Sequence, residues 1–448
     1  MMTNGVLIFL MAFLFLLLGY LGVPVAFALI AGVLVVTAFT PVSLASMMTQ
    51  LFNGMDVEAL LAVPFFLLVG ELMTAANVTH RMITLAQTLV GHFRGGLAQV
   101  VTVFSMFFAG ISGSSTADVA VLARTVGPEM SREGYDKAFT AALIASASTI
   151  ANLIPPSIMA IVYGATGNVS IGGLFLGGVV PGLLVGFGLM IFSHFFGPSG
   201  VRRKRATFGQ FAEAAKLSAL PLMIPFIIMG GILSGFFTPT EAGLVAVAYI
   251  VFILIPLVNR GHIKNLPRDF ANAGLLYSIP MAAVAAASAF GWMLAYLRGP
   301  DVVSAWIEGF AGHNGLMIMF LLVLLFVIVG DFMDAVPAII IFMPIITALT
   351  ALGEINPVHM GVVIVVTLAF GLITPPYGLS LLMASKFTGV GFMPAVVRSL
   401  PLYLVFFATI AFCIFFPEVV LWLPKKLLPE SVGCFKSPTG AGYICPQF

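Results

Sequence analysis

The distribution of apolar residues along the chain is that of a protein with many membrane crossings. A helix needs about 20 apolar residues to cross the hydrocarbon core of a bilayer. Ten segments reach or approach that length: 5–22, 23–40, 59–76, 138–165, 171–196, 216–233, 238–258, 270–297, 357–385 and 394–423. Two further apolar stretches, about 97–127 and 316–350, are interrupted at mid-length by polar, Gly or Pro residues. Because irregular backbone is tolerated at membrane depth only inside protein or beside a cavity, we predict two re-entrant hairpins.

Composition supports the same fold class, an all-α polytopic membrane protein. The chain has 448 residues, of which 60% are hydrophobic and 8% are charged, whereas soluble domains carry roughly 25% charged residues. The mean hydropathy is +1.14. These values exclude a nucleic-acid-binding protein, a soluble metabolic enzyme and a disordered scaffold. No basic residue precedes the apolar run 6–18, so we interpret this run as a retained membrane helix and not as a signal peptide.

The basic residues orient the predicted spans. None of the 19 Lys and Arg residues occurs in residues 1–80. If the N-terminus is placed outside, every basic residue before residue 425 except Arg298 lies on the cytoplasmic side, as the positive-inside rule requires. The three lysines of the tail, Lys425, Lys426 and Lys436, do not fit this topology.

The two halves of the chain resemble each other at an offset of about 215–221 residues. Leu153-Ile154-Pro155-Pro156 recurs as Ile373-Thr374-Pro375-Pro376, and three other matches follow in the same order. The loop 41–57 has no basic residue, whereas its counterpart 259–268 has three, so equivalent loops are expected on opposite sides. Inverted repeats with broken helices are typical of secondary transporters. We predict a first repeat at 1–200, a cytoplasmic basic loop at 201–215, a second repeat at 216–424 and a tail of unknown role at 425–448.

Four polar segments interrupt the apolar pattern and are the candidates for chemistry. They are Gly110–Asp118, Asn152–Ser157, Gly330–Pro337 and Gly371–Gly378. Prolines remove backbone donors and break a helix, which leaves carbonyl oxygens to be satisfied by another group. Hydroxyl and carbonyl oxygens suit an alkali cation or a substrate carboxylate, and ionisable residues at membrane depth indicate function. The alternatives are a polar loop with helix-capping hydroxyls and a simple kink satisfied by Ser157.

An intramembrane serine protease and a channel are the alternatives to a transporter. Gly110-Ile111-Ser112-Gly113 matches the Gly-x-Ser-Gly of intramembrane serine proteases, but such an enzyme needs a histidine as general base on a facing membrane helix. No histidine lies at mid-span in a suitable helix, and the internal repeat would be unexplained. A channel would be favoured by rings of like charge, and none is apparent. We therefore predict that the chain is not an enzyme.

An acidic residue, a histidine and the cysteines allow further expectations. Glu241 follows Thr238-Pro239-Thr240 and is interpreted as part of a helix N-cap. His359 lies near a span end and is expected at the membrane interface. The spacing of the three cysteines does not suggest a metal site, and Cys434 and Cys445 can form a disulfide only if the tail faces an oxidising space.

Five motifs carry a resemblance to a known family. They are Gly231–Ala242, Ser112–Asp118, Ile154–Ser157, Met333-Asp334 with Pro337–Ile340, and Thr374–Gly378. Over residues 1–424 the chain resembles the large membrane subunit of tripartite ATP-independent periplasmic (TRAP) transporters. It departs at Thr367, where the family often has Asn, and the tail has no counterpart that we recognise.

The resemblance implies an elevator-type carrier, with a scaffold and a moving transport domain, in the bacterial cytoplasmic (inner) membrane. It implies sodium-coupled uptake of an organic acid delivered by a periplasmic substrate-binding protein. It also implies a small four-helix membrane subunit. We expect this subunit to be a separate chain, because its sequence is not fused at the N-terminus. Dicarboxylates, sugar acids, keto acids and sulfonates all fit as substrates. A stand-alone ion- or proton-coupled carboxylate carrier is the alternative.

By this resemblance the hairpins and broken helices hold Na⁺, with no organic cofactor or transition metal. Sodium site 1 is predicted to comprise Ser112, Gly113, Ser115, Asn152 and Ser157. Sodium site 2 is predicted to comprise Gly330, Met333, Gly371 and Thr374. Asp118 and Asp334 are expected beside the ions, as anchors or charge balance. If coupling uses protons instead, either aspartate would be the proton carrier.

Overall fold

The computed structural model describes residues 3–76, 78–197, 204–436 and 443–445. The first half contains α1 (Asn4–Tyr20), α2 (Val25–Thr37), α3 (Leu44–Asn53), α4 (Ala62–Ala75), α5 (Thr79–Val90), α6 (Gly96–Ser112), α7 (Ser115–Thr125), α8 (Gly127–Arg132), α9 (Lys137–Ser148), α10 (Ile158–Gly167) and α11 (Ile171–Phe196). The second half contains α12 (Phe208–Leu233), α13 (Pro239–Tyr249), α14 (Ile255–Val258), α15 (Leu266–Tyr296), α16 (Gly299–Ala311), α17 (Gly315–Gly330), α18 (Ala335–Leu352), α19 (Pro357–Gly371), α20 (Leu379–Thr388) and α21 (Phe392–Phe415). The tail adds α22 (Pro417–Val420), α23 (Trp422–Leu427) and the antiparallel strands β1 (Phe435–Lys436) and β2 (Tyr443–Ile444).

The order of helices in the second half repeats that of the first. The helix α10 begins at Ile158 and α20 begins at Leu379, 221 residues later, and each has ten residues. The following helices, α11 and α21, begin at Ile171 and Phe392, again 221 residues apart. The pairs α6–α7 and α17–α18 stand at equivalent places before them. This repetition is what the predicted internal repeat requires, and the opposite orientation of the halves in the membrane stays a prediction.

The helices agree with a polytopic membrane protein. Within the described residues, seven helices are long and apolar enough to cross a bilayer: Glu58–Ala75, Ile171–Phe196, Phe208–Leu233, Pro239–Val258, Arg260–Tyr296, Ala335–Leu352 and Phe392–Phe415. The predicted spans 138–165 and 357–385 are each two helices separated by a break. Sequence reasoning missed α3, α5 and α16, since alternating apolar and polar positions kept their hydropathy low.

Local sequence signals explain several helix ends. Thr238 caps α13: its hydroxyl accepts from the Glu241 backbone N–H, and the Glu241 side chain accepts from the Thr238 backbone N–H. The expected N-cap is thereby confirmed. His359, expected at the membrane interface, lies in the first turn of α19, and its side chain is buried with Nε2 2.7 Å from the carbonyl oxygen of Cys413. Arg202 and Arg203 of the predicted basic loop lie outside the described residues.

Glycines on α11 bring this helix against the first helix break. A Cβ atom on Gly178 would collide with the carbonyl oxygen of Leu153, and one on Gly182 would lie 2.6 Å from Cγ1 of Ile154. Only a helix without side chains at these positions can approach the backbone so closely. The break between α9 and α10 is therefore buried in protein, which is the condition for irregular backbone at membrane depth.

Candidate functional site

The tip of the first hairpin packs into the break between α9 and α10. The helix α6 ends at Ser112, Gly113 turns the chain with φ +57°, and α7 begins at Ser115. A Cβ atom on Gly113 would lie 2.5 Å from the carbonyl oxygen of Pro156. The Gly113 carbonyl in turn accepts from the backbone N–H of Ile158, at 3.4 Å. Glycine is required here both for the left-handed conformation and for the close approach.

A buried hydroxyl–carboxylate pair lies within this hairpin. Ser112 Oγ donates to Asp118 Oδ1 at 2.5 Å, and both side chains are fully buried. Among the described residues, no hydrogen-bond partner faces the second carboxylate oxygen, Asp118 Oδ2. A buried carboxylate with an unpaired oxygen requires a cation, a water molecule or a proton, because its desolvation is otherwise uncompensated. The first hairpin therefore offers a polar position inside an apolar region.

The break between α9 and α10 is held by Ser157. This residue caps α10 by accepting from the backbone N–H of Ala160, at 3.2 Å, and its hydroxyl donates to the Asn152 carbonyl at 2.5 Å. These are the contacts that a simple kink needs, so Ser157 has one lone pair left for an ion. Asn152 Nδ2 is buried without a partner among the described residues. A cavity of about 10 Å³ adjoins Asn152, close to the smallest space that holds a water molecule.

The second hairpin meets the second break through its backbone. The helix α17 ends at Gly330 and α19 ends at Gly371. A Cβ atom on Gly371 would lie 2.8 Å from the Cα atom of Gly330. The carbonyl of Asp331 also accepts from the backbone N–H of Tyr377, at 3.0 Å. Two facing glycines thus let the hairpin tip and the broken helix touch main chain to main chain.

A second hydroxyl–carboxylate pair lies at this contact. Thr374 Oγ1 donates to Asp331 Oδ1 at 2.5 Å. The sequence-based choice was Asp334, whose side chain accepts from the backbone N–H of Ala335 at 2.6 Å and caps α18; its role beside an ion stays a prediction. The sequence feature that could have indicated Asp331 is its position directly after Gly330, at the end of α17. Unlike Ser112–Asp118, which lies within one hairpin, this pair joins the second hairpin to the second break.

The remaining predicted site residues lie near the two hydroxyl–carboxylate pairs. Ser115 is buried at the start of α7, and Met333 is buried between Asp331 and Asp334. In the second break, Tyr403 donates its hydroxyl to the carbonyl of Ile373 at 2.7 Å, so this oxygen is already satisfied by protein. The structure thus forms two clusters, each a hairpin tip against a helix break.

Helix ends give each cluster two kinds of electrostatic surface. The C-terminal ends of α6, α9, α17 and α19 lie at the clusters, as do the N-terminal ends of α7, α10, α18 and α20. Helix C-termini favour cations, and helix N-termini favour anions. Both clusters can therefore accommodate a cation next to an anion.

The two hairpins also touch helices α4 and α15, which occupy equivalent places in the two halves. A Cβ atom on Gly70 of α4 would lie 3.5 Å from Cα of Ser112, and one on Gly291 of α15 would lie 3.1 Å from the carbonyl oxygen of Ile340. Glycine 291 follows Gly70 by 221 positions. Each hairpin thus packs closely against a glycine, Gly70 at the end of α6 and Gly291 at α18.

Comparison with solved structures supports the fold alone. The YdaH transporter of Alcanivorax borkumensis matches with a TM-score of 0.56 and 14% identity, over 84% of this chain and 89% of that one. MtrF of Neisseria gonorrhoeae, from a class of antimetabolite efflux pumps, matches with a TM-score of 0.56 and 12% identity, over 87% and 94%. Together with the paired hairpins and breaks, these matches define a helical membrane-transporter fold.

Sequence comparison identifies the family. The family described as "Tripartite ATP-independent periplasmic transporter, DctM component" matches residues 10–419. The chain belongs to this family: it is the large membrane subunit of a TRAP transporter, a multi-pass protein of the inner membrane and not an enzyme.

Relatives with named substrates cover nearly the whole chain. The C4-dicarboxylate TRAP transporter large permease protein DctM of Pseudomonas aeruginosa is 35% identical, over 89% of this chain and 93% of the relative. The sialic acid permease SiaM of Vibrio cholerae is 34% identical, over 91% and 96%. The 2,3-diketo-L-gulonate permease YiaN of Escherichia coli is also 34% identical, over 91% and 96%.

Proposed function

We propose that this subunit takes up a small organic anion together with Na⁺, by moving its two hairpins and broken helices across the membrane against a static scaffold. The observation that carries the proposal is the pair of clusters. Each joins a hairpin tip to a helix break and contains a hydroxyl–carboxylate pair, Ser112–Asp118 or Asp331–Thr374. Two such clusters in equivalent places of a repeat are what a transporter with two ion sites needs.

The first cluster is suited to one sodium ion. Its oxygen donors are hard ligands, and Asp118 supplies charge in a place with little water. Helix α6 ends at this cluster, so the negative end of its dipole favours a cation there. Gly113 and Asn152 contribute backbone or amide oxygens. Ser157 has less capacity to bind an ion, because its hydroxyl already makes two hydrogen bonds in the break.

The second cluster is suited to another sodium ion, with Asp331 in the role that sequence reasoning gave to Asp334. The close contact of Gly330 with Gly371 places the ends of α17 and α19 together, where their last carbonyls have no helical partner. The carboxylate of Asp331 and the hydroxyl of Thr374 complete an oxygen-rich site.

An organic anion is the substrate class that the surroundings favour. The relatives' names specify C4-dicarboxylates, sialic acid and 2,3-diketo-L-gulonate, all of them organic acids. The N-termini of α7, α10, α18 and α20 at the clusters suit a carboxylate, as in other transporters with discontinuous helices. A bound cation beside them would strengthen anion binding by its own charge.

Family membership implies a small membrane subunit and a periplasmic substrate-binding protein as partners. We expect the large subunit alone in proteoliposomes to show no uptake. Addition of the small subunit and the loaded binding protein should give uptake at least tenfold above the empty-liposome background. The control is a binding protein without substrate affinity. Strong uptake by the isolated chain would instead support a stand-alone carrier.

The elevator movement draws support from the two helix–hairpin contacts. Gly70 and Gly291 present backbone and no side chain to the hairpins. At these two positions no side chain interlocks with the hairpin, and interlocked side chains would resist displacement of one packed body against another. Helices α4 and α15 would thus belong to the scaffold, and the hairpins would belong to the moving domain.

The inverted orientation of the repeats gives a topology prediction. Asn53, at the end of α3, and Asn265, just before α15, are exposed, and the charge asymmetry between 41–57 and 259–268 predicts opposite faces for them. In a cysteine-free background, Asn53→Cys should react with an impermeant maleimide in spheroplasts, and Asn265→Cys only in inside-out vesicles. Reaction of both from one face would contradict the inverted repeat.

Proton coupling is the second candidate, and one observation favours it. Asp118 Oδ2 has no hydrogen-bond partner among the described residues, and a proton on this oxygen would neutralise the carboxylate. Sodium remains the better proposal. A proton on Asp118 alone would not account for the hydroxyl and carbonyl oxygens that are brought together in the second cluster.

A further inference from the structure

The C-terminal strap, residues 417–436 and 443–445, folds back onto the helical body and does not trail from it. The family match ends at residue 419, so nearly all of this segment lies beyond it. Its helices contact α11, α19 and α21. Val420 and Leu421 are fully buried, and Val432 and Cys434 are nearly so. The segment is therefore a packed part of the fold.

The contacts with α11 determine the side of the membrane on which the strap lies. A Cβ atom on Gly172 would lie 2.8 Å from Leu428, and one on Gly173 would lie 2.8 Å from Ser431 Oγ. Both glycines are in the first turn of α11, whereas the basic loop with Lys204 and Arg205 follows its last turn. A helix of 26 residues is about 39 Å long, enough to cross a bilayer. The strap and the basic loop are therefore on opposite faces.

The lysines of the strap do not argue against this placement. Lys425 Nζ lies 2.6 Å from Glu418 Oε2, and Lys426 Nζ lies 5.3 Å from the centroid of the Trp422 ring. The two charges thus interact within the strap itself. The loops beside it, 168–170 and 353–356, carry no basic residue, as the outer side requires.

Two connections close the strap. Cys434 and Cys445 form a disulfide, and β1 pairs with β2 between them. Asn356 then anchors the strap: its Nδ2 donates to the carbonyl of Val432 at 3.2 Å, in a buried position. The Oδ1 of the same side chain caps α19 by accepting from the backbone N–H groups of Val358 and His359. One side chain thus joins the strap to the helix that ends at Gly371.

We propose that the C-terminal strap is a periplasmic element that packs on the outer ends of α11 and α19 and is closed by the Cys434–Cys445 disulfide. Disulfides form and persist in the periplasm and are rare in the cytosol. In forming, the two thiols lose two protons and two electrons. The electrons reduce the disulfide of a periplasmic thiol oxidant to a dithiol, which takes up two protons. The proposal rests on membrane orientation and is independent of the coupling ion.

The test is thiol labelling of the complex in membranes, with Cys413→Ala removing the remaining cysteine. An impermeant maleimide should not react in spheroplasts until an impermeant phosphine has reduced the disulfide, and then the more exposed thiol, that of Cys445, should react. Cys434→Ser, which leaves the half-exposed Cys445 free, should react in spheroplasts without reductant. Labelling of the parent without reductant would overturn the disulfide. Labelling confined to inside-out vesicles, or seen only in detergent, would overturn the periplasmic placement.

The anchor has a matched variant of its own. Asn356→Asp keeps an oxygen that caps α19, since Asp and Asn are equally good N-caps, but it loses the donor to Val432. We expect the disulfide of this variant to be reduced several-fold faster than that of the parent, because the strap is held less firmly over the buried Cys434. An unchanged rate would show that Asn356 does not fasten the strap.

Discussion

Gly371→Val should lower uptake by the complete transporter at least tenfold while leaving the amount of protein in the membrane unchanged. A Cβ atom at this position would lie 2.8 Å from Cα of Gly330, so the hairpin tip and the broken helix must separate. Overpacking of this kind costs about 1–3 kcal/mol, and it acts on the contact that forms the second ion site. The measurement is sodium-driven uptake in proteoliposomes, together with the increase in melting temperature on adding Na⁺.

Gly230→Val is the matched control, because no atom lies within 4 Å of a Cβ atom at that helical position. It should retain uptake and the sodium-dependent stabilisation. If Gly371→Val keeps uptake within about twofold of the parent, a margin below 1 kcal/mol, the contact between Gly330 and Gly371 is not needed for transport. The second cluster would then lose its assignment.

Asp331→Asn should raise the sodium concentration for half-maximal uptake by about 10–100-fold, the usual effect of removing a group that tunes a metal site. The substitution keeps the size of the side chain and an acceptor for Thr374 but removes the negative charge next to the helix ends. Asp334→Asn should have a much smaller effect, because Asp334 caps α18 and Asn caps helices as well as Asp does.

Asp301→Asn serves as the surface control, since Asp301 is exposed at the start of α16. It should leave the sodium dependence unchanged. The result that would contradict the assignment is the reverse order, with Asp334→Asn raising the sodium requirement and Asp331→Asn leaving it unchanged. In that case the original choice of Asp334 from the sequence would stand.

The sequence was sufficient to locate the hairpins and breaks because glycine and proline have local and strong effects on the backbone. Prolines 155–156 and 375–376 have to interrupt any helix, and α9 and α19 do end before them. The repeat then predicted the order of elements, since matching breaks in matching places require matching helices. The family resemblance added the transporter class, which the comparisons confirm.

Partnerships between distant side chains could not be predicted in the same way. Asp331 and Asp334 stand in the same turn, and only the packing of α17 against α19 places Asp331 beside Thr374. The burial of His359 could not be predicted either, because it depends on packing against α21. The amphipathic helices α3, α5 and α16 were missed since mean hydropathy over a long window does not detect short helices with one apolar face.

The most direct test of the central claim is uptake by the complete transporter in proteoliposomes under a sodium gradient alone, with equal pH on both sides. Sodium coupling predicts that radiolabelled organic-anion substrate accumulates above its external concentration and that a sodium ionophore abolishes the accumulation. The parallel arm replaces the sodium gradient by a pH gradient in sodium-free buffer, and no accumulation is expected there. Accumulation that follows the pH gradient, ignores sodium and is lost in Asp118→Asn would contradict sodium coupling and assign the coupling to protons.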